Sequence, residues 1–226
     1  MLEPLLGINL EPFYLSIKLS FITTVMLFLI LIIPSYALAR TNFKGKSIVL
    51  ALLSLPIVMP PSVLGFYLLI IFSPYSALGA FLEGAFNIRL VFSFSGLVVA
   101  SCIYSLPFML QPLIAGFQSL PKSLFEASYS LGKSRLNTLI HVALPSIKPS
   151  ILSALVITFA HTMGEFGVVL LIGGSVENQT KVASIAIFEA VEMLDFKTAH
   201  FYSFILLAIS FLVLFTMYLT KNTKAI

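Results

Sequence analysis

The feature that most constrains this chain is a succession of apolar runs, each too long and too uniformly oily for a water-exposed domain. They are Phe13 to Ala39, about Ile48 to Phe72, Val91 to Phe117, Pro149 to Ile172, and Tyr202 to Thr220. At about 1.5 Å per helical residue, each can cross roughly 30 Å of hydrocarbon. Hydrocarbon offers backbone amides no water, so such segments must close their hydrogen bonds internally as helices. The expected fold class is all-α: a polytopic membrane protein with about five transmembrane helices, some of them proline-broken. Composition agrees, with 59% hydrophobic and 10% charged residues, where a soluble domain carries about 25% charged. Cys102 is the single cysteine, so no disulfide framework exists within the chain. No cleavable leader is expected, because Leu2 to Pro12 is acidic and lacks a basic start.

Charge placement sets the expected orientation. With five spans, Arg40, Lys44, Lys46, Lys122, Lys133, Arg135, Lys148, Lys221 and Lys224 share one side. Lys18, Arg89, Lys181 and Lys197 fall on the other, with Glu3, Glu11, Glu83, Glu177, Glu189, Glu192 and Asp195. The excess of basic residues marks the cytoplasmic side, which puts the N-terminus outside and the C-terminus inside.

One long polar interruption, Glu126 to Pro145, lies on that cytoplasmic side. Pro121 suits a helix start, and Leu124, Ala127, Ser128 and Leu131 recur at helical spacing. Gly132 offers a left-handed stop, Ser134 a cap for a second short helix, and Pro145 its end. A plain membrane-surface loop pinned by Lys122, Lys133 and Arg135 would have no need of this spacing. Glu126, Ala127, Gly132, Leu144 and Pro145 resemble the "EAA" signature of bacterial ABC-importer permeases, with Ser128 in place of the second alanine and Val142 where isoleucine is usual. The resemblance implies a single permease domain over 1–226, in which 121–145 is the loop that docks on a separate cytoplasmic ATPase.

Two further stretches resemble the molybdate and tungstate permeases of that family. The first is SLPIVMPPSVLGFYLL, Ser54 to Leu69; the second is AHTMGEFGVVLLIGG, Ala160 to Gly174, where sulfate relatives more often have tyrosine at the position of Phe166. Thr180 to Glu192 also resembles the family's stretch before the last span. His161 departs from the family's usual arginine. Independently of any resemblance, Pro56, Pro60 and Pro61 break a helical ladder, and freed carbonyls must face protein or water. Broken helices near mid-membrane are where transporters place their pathways. Gly65 permits a close helix crossing.

Glu165 is the one acid deep in a span. A carboxylate would repel a dianion such as molybdate, so Glu165 is read as structural: paired with His161 one turn earlier, protonated, or bonded to freed backbone N–H groups. Flanking Gly164 and Gly167 suit a close-packed crossing. Neutral donors fit an oxyanion in passage better than a tight cationic site, which nominates Ser62, Ser105, Thr158 and Thr162, beside the break at Pro60 and Pro61.

Gly45-Lys46-Ser47 and Gly132-Lys133-Ser134 look like the end of a phosphate-binding loop, but Arg40 and Ala127 stand where its earlier glycine belongs. ATP and magnesium are expected on the partner ATPase, with no cofactor, metal or nucleic acid on this chain. By resemblance the partners are a second copy of itself, two ATPase subunits, a periplasmic molybdate-binding protein and the bilayer of a bacterial or archaeal plasma membrane. Open alternatives are a permease for sulfate or another oxyanion and, from a different class, a channel or scaffold not coupled to ATP. An intramembrane protease is excluded by the lack of HExxH, GxSG and GxGD patterns.

Overall fold

The computed structural model describes residues 9–222; Glu3, Lys224 and the Lys221 side chain, used in the charge argument, lie outside the described part. All regular structure among the described residues is helical. In order it comprises α1 (Glu11–Arg40), α2 (Lys46–Val58), α3 (Pro61–Phe72), α4 (Ala77–Phe86), α5 (Phe94–Gln118) and α6 (Lys122–Ser130). Then follow α7 (Arg135–Thr138), a π turn (Leu139–Ala143), α8 (Leu144–Ser146), α9 (Lys148–Met163), α10 (Gly167–Gly173), α11 (Ala183–Glu192) and α12 (Phe196–Asn222). In α1, α5 and α12 the most apolar stretches have mean hydropathies of 2.4, 1.8 and 2.2, and these helices are long enough to cross a membrane. Two bent helix pairs bring the number of spans to as many as five.

The centre is a three-helix packing of α1, α5 and α9. Along α1 the buried stripe reads Ser16, Ser20, Thr23, Leu27, Leu31, Ser35 and Leu38. Tyr14, Phe21, Leu29 and Ile33 are instead exposed. This inverts the soluble rule for a physical reason. Lipid tails are as apolar as leucine, so close approach of small residues, not exclusion of oil from water, holds helices together. Where α5 meets α9, a Cβ on Gly116 would sit 2.6 Å from the Cβ of Ser150, so the two backbones are as near as glycine permits. The Ser16 hydroxyl accepts from the Ala183 N–H at 2.8 Å and ties α1 to the start of α11.

The prolines break the second run at one place. Pro60 and Pro61 lack N–H groups, and a residue before proline is driven to extended geometry. Met59 and Pro60 obey, with ψ of 135° and 134°. Helices α2 and α3 consequently meet at 110°. Pro56 stays inside α2 without breaking it. On the far side of the break α3 packs against α10. A Cβ at Gly65 would lie 3.1 Å from the Val168 Cα, and one at Gly167 2.9 Å from the Pro61 Cβ. Gly164 has no such neighbour, so only Gly167 of the expected pair makes the close crossing.

Two more expectations need correction, and one helix lies outside the apolar runs. Between the second and third runs, 73–90 contains α4, started by Ser76, whose hydroxyl accepts from Gly79 N–H at 2.9 Å, and stopped by Asn87 at φ 53°. The fourth run is not continuous: α9 stops at Gly164 and α10 restarts at Gly167. Pro145 does not end the helix of the polar loop. The π turn widens the backbone around His141, the residue whose carbonyl its ring would otherwise strike, and α8 continues to Ser146 before a 77° bend into α9.

Candidate coupling loop and intramembrane cleft

The polar loop folds as a knob of two helices around a glycine elbow. Gly132 has φ 74°. Its N–H donates to the Tyr129 carbonyl at 2.9 Å, and the Lys133 N–H donates to the Ser128 carbonyl at 3.2 Å. That pair of bonds is the Schellman stop, which satisfies carbonyls that a helix end leaves free. The Ser134 hydroxyl then accepts from Asn137 N–H at 3.2 Å and starts α7. Across the elbow, the hydroxyls of Ser128 and Thr138 meet at 2.8 Å, both buried.

Beneath the knob, Phe125, Leu139, Ala143 and Ile147 pack on Phe117 of α5, with Ile32 and Tyr36 of α1 alongside and Leu144 half-buried at the edge. The Arg40 guanidinium lies 3.9 Å from the centre of the Phe125 ring, a cation–π contact that fastens the end of α1 to α6. The outer surface is different. Glu126, Ala127 and Pro145 are exposed. So are Tyr129, Leu136 and Ile140, and Leu131 is 79% exposed. The knob is thus cemented to the ends of α1 and α5 on one face and offers apolar side chains on the other.

The second site is a cleft of about 630 Å³ where the two helix breaks meet. Pro61 and Ser62 of α3, Tyr104 of α5, Ala160 and His161 of α9, and the connection Gly164 to Gly167 form its wall. None of these is lysine or arginine. The His161 ring stacks on Phe108 with centroids 3.8 Å apart and lies 4.8 Å from the Tyr104 ring. Its Nδ1 is 3.0 Å from the Ser105 hydroxyl, which is 2.9 Å from the Thr162 hydroxyl, which in turn donates to the Thr158 carbonyl at 3.0 Å.

Glu165 is only 4% exposed, and neither carboxyl oxygen has a hydrogen-bond partner among the described residues. Ser101 is close to it but outside hydrogen-bond geometry. The expected pairing of Glu165 with His161 is not made. Helix α9 stops at Gly164, so Glu165 leaves the helical face that would have carried it one turn above His161, and His161 turns to Ser105 instead. The Ser184 hydroxyl donates to the Glu165 backbone carbonyl at 2.5 Å, which fixes the break against α11.

Of the residues nominated for the pathway, Pro61 and Ser62 line the cleft, and Pro60 is exposed at the bend. Ser105, Thr158 and Thr162 do not line it: they are buried between α5 and α9, where Ser105 and Thr162 bond to each other, Thr162 donates to the Thr158 carbonyl, and the Thr158 hydroxyl has no partner among the described residues. Tyr104 and Phe108 were missed by sequence reasoning. Aromatics four apart on a helix look like ordinary packing, and only the neighbouring His161 distinguishes them.

A family model for the binding-protein-dependent transport system inner membrane component matches residues 31–222. The molybdenum transport system permease protein ModB of Azotobacter vinelandii is 38% identical over 222 residues, covering 98% of each chain. The sulfate transport system permease protein CysT of Salmonella typhimurium is 31% identical over 186 residues, 82% of this chain and 67% of that one. A chain of the MetNI methionine ABC transporter, solved in inward-facing conformations, superposes with a TM-score of 0.73 at 16% identity and covers 99% of both chains, a likeness of fold. With most of its length matched by the family model and nearly all of it by a relative well above 30% identity, the chain belongs to the family of binding-protein-dependent transport system inner membrane components.

Proposed function

We propose that this chain is the membrane-spanning permease of an ATP-driven importer for molybdate or tungstate. The observation that carries the substrate class is the 38% identity to a molybdenum permease across 98% of both chains. Sulfate is the second reading, favoured by the 31% identity to a sulfate permease over 82% of this chain. In this reading 1–226 is a single permease domain and 121–145 its coupling loop. Glu126, Ala127, Gly132, Leu144 and Pro145 make the surface that an ATPase grips, and ATP hydrolysis belongs to that partner. Two copies of the chain surround the pathway, each above one ATPase, and a periplasmic binding protein delivers the anion from outside. The N-terminus faces outward, and the basic end of the bundle faces the cytoplasm of a bacterial or archaeal cell.

The knob's construction supports this mechanism. Its inner face is locked to α1, α5 and α9 through the Phe117 and Phe125 cluster, so displacement of the knob must move helices that reach the cleft. ATP binding draws two such knobs together and opens the outer side; hydrolysis restores the inward-open state. The cleft at Pro61, Ser62 and His161 is the passage, neutral enough to release the anion. The test is uptake of radiolabelled molybdate into proteoliposomes holding the chain, its ATPase and the binding protein. ATP-dependent uptake that excess tungstate suppresses and excess sulfate does not is the expected result. Suppression by sulfate alone would select the second reading, and uptake indifferent to ATP would refute coupling.

A further inference from the structure

The cleft holds a histidine whose hydrogen bonds leave one ring nitrogen uncommitted. A hydroxyl has a single proton to give. Thr162 donates its proton to the Thr158 carbonyl, so between the Thr162 and Ser105 hydroxyls it is Ser105 that donates. With its proton spent, Ser105 can only accept from His161, which places the proton of the imidazole on Nδ1. Nε2 is left with its lone pair, on a side chain that forms part of the cleft wall. Protonating Nε2 disturbs nothing in this chain of bonds, because Nδ1 is a donor in both states. Phe108 is stacked on the ring and Tyr104 lies beside it, contacts that a charged imidazolium can keep as cation–π contacts.

The other polar and titratable groups of the cleft are few. From α5 comes Tyr104, while the Cys102 thiol, outside the cleft wall, lies near Glu165. The break after α9 contributes Glu165, buried and with both oxygens unpartnered. Helix α3 contributes Ser62, α10 contributes Gly167, and no lysine, arginine or aspartate lines the cleft. An anion entering here meets no fixed cation, and an ionised Glu165 would repel it.

Resting on the oxyanion-importer reading, we propose that the cleft is a proton-linked oxyanion site, in which a tetrahedral dianion is held with a proton bound to Nε2 of His161. The proton comes from solution, adds to the Nε2 lone pair and returns to solution when the anion leaves. No covalent bond to the anion forms. The charged ring then donates Nε2–H to an oxygen of the anion, while Ser62 supplies a neutral donor. Glu165 acts in the same sense, because the anion is opposed by its carboxylate and can accept from its acid form.

Equilibrium dialysis of radiolabelled molybdate against the purified complex of this chain with its ATPase, at a series of pH values from about 6 to 8, reads the linkage. One linked proton tightens binding by up to about tenfold per pH unit as pH falls. His161→Gln, which cannot take the proton, is expected to weaken binding and to flatten this dependence. His161→Arg carries a permanent charge and is expected to bind the anion with the dependence flattened, which separates loss of the proton from loss of the fold. Glu165→Gln is expected to retain the His161-dependent part of the slope. Binding that is independent of pH, or a slope undiminished in His161→Gln, overturns the proton linkage and leaves the oxyanion reading standing. No binding of molybdate, tungstate or sulfate by the wild-type complex overturns the site, and uptake by the same preparation shows whether the importer reading falls with it.

Discussion

Replacing Gly132 with valine is the sharpest perturbation of the knob. A Cβ at this position would meet nothing within 4 Å, so no packing is lost and the effect isolates backbone geometry. At φ 74° a side chain collides with its own backbone, at a cost of about 1–2 kcal/mol, with the upper end expected for a β-branched residue. The chain can escape that strain only by giving up bonds from the Gly132 and Lys133 N–H groups, worth about 1 kcal/mol each. Because the chain takes the cheaper of these two routes, the native elbow is destabilised by about 1–2 kcal/mol, or roughly 5- to 30-fold in population. Membrane insertion and yield should be normal, while co-purification of the ATPase and ATP-driven uptake fall within that roughly 5- to 30-fold range. Gly132→Ala should be milder, and Gly132→Asn nearly wild type, because asparagine tolerates the left-handed region. Wild-type uptake by the valine variant would refute the claim that this elbow shapes the coupling surface.

Two further outcomes follow from the geometry. Ser128→Ala strands the buried Thr138 hydroxyl and should weaken the knob by about 1–3 kcal/mol, read as faster proteolysis of the loop, whereas adding Thr138→Val should recover much of the loss. Lys181 and Glu189 are 2.6 Å apart in the loop between the last two spans. For Glu189, burial works to raise the pKa, but hydrogen bonds from Lys181 and Ser175 and the lysine charge outweigh it, so the net is below the ordinary value. Its stabilising contribution is therefore complete above the unfolded value of about 4.3 and is lost as pH falls through the lower folded value. Hydrogen exchange of 174–182 should accelerate in that acidic window, and Lys181→Ala should abolish the acceleration.

Much of this architecture was legible from residue types. Apolar run lengths located the spans, and Gly132 and Ser134 located the elbow. Proline reads clearly as a breaker at Pro60 and Pro61, but it misleads at Pro145, where a π turn makes room for the ring. The converse failure is at Gly164 to Phe166, a break with no proline at all. That unseen break is why the His161 and Glu165 pairing failed: the four-residue spacing assumes a helix that had already ended. Helix α4 was hidden by Gly79, Gly84 and Glu83, although its Ser76 cap and Asn87 stop were present in the sequence. The partnering of Ser105 with His161 depends on how α5 crosses α9, which no local pattern encodes.

The central claim is that the knob faces the compartment of the ATPase, and thiol accessibility tests it most directly. In a Cys102→Ala background, Lys133→Cys places a thiol at the exposed elbow without disturbing the Ser134 cap. Glu177→Cys marks the loop at the opposite end and avoids its neighbour Asn178, whose φ is 60°. The account predicts that an impermeant maleimide labels position 177 in intact spheroplasts, and labels position 133 only after the inner face is exposed. The reverse pattern would put the knob beyond reach of any cytoplasmic ATPase and contradict the account.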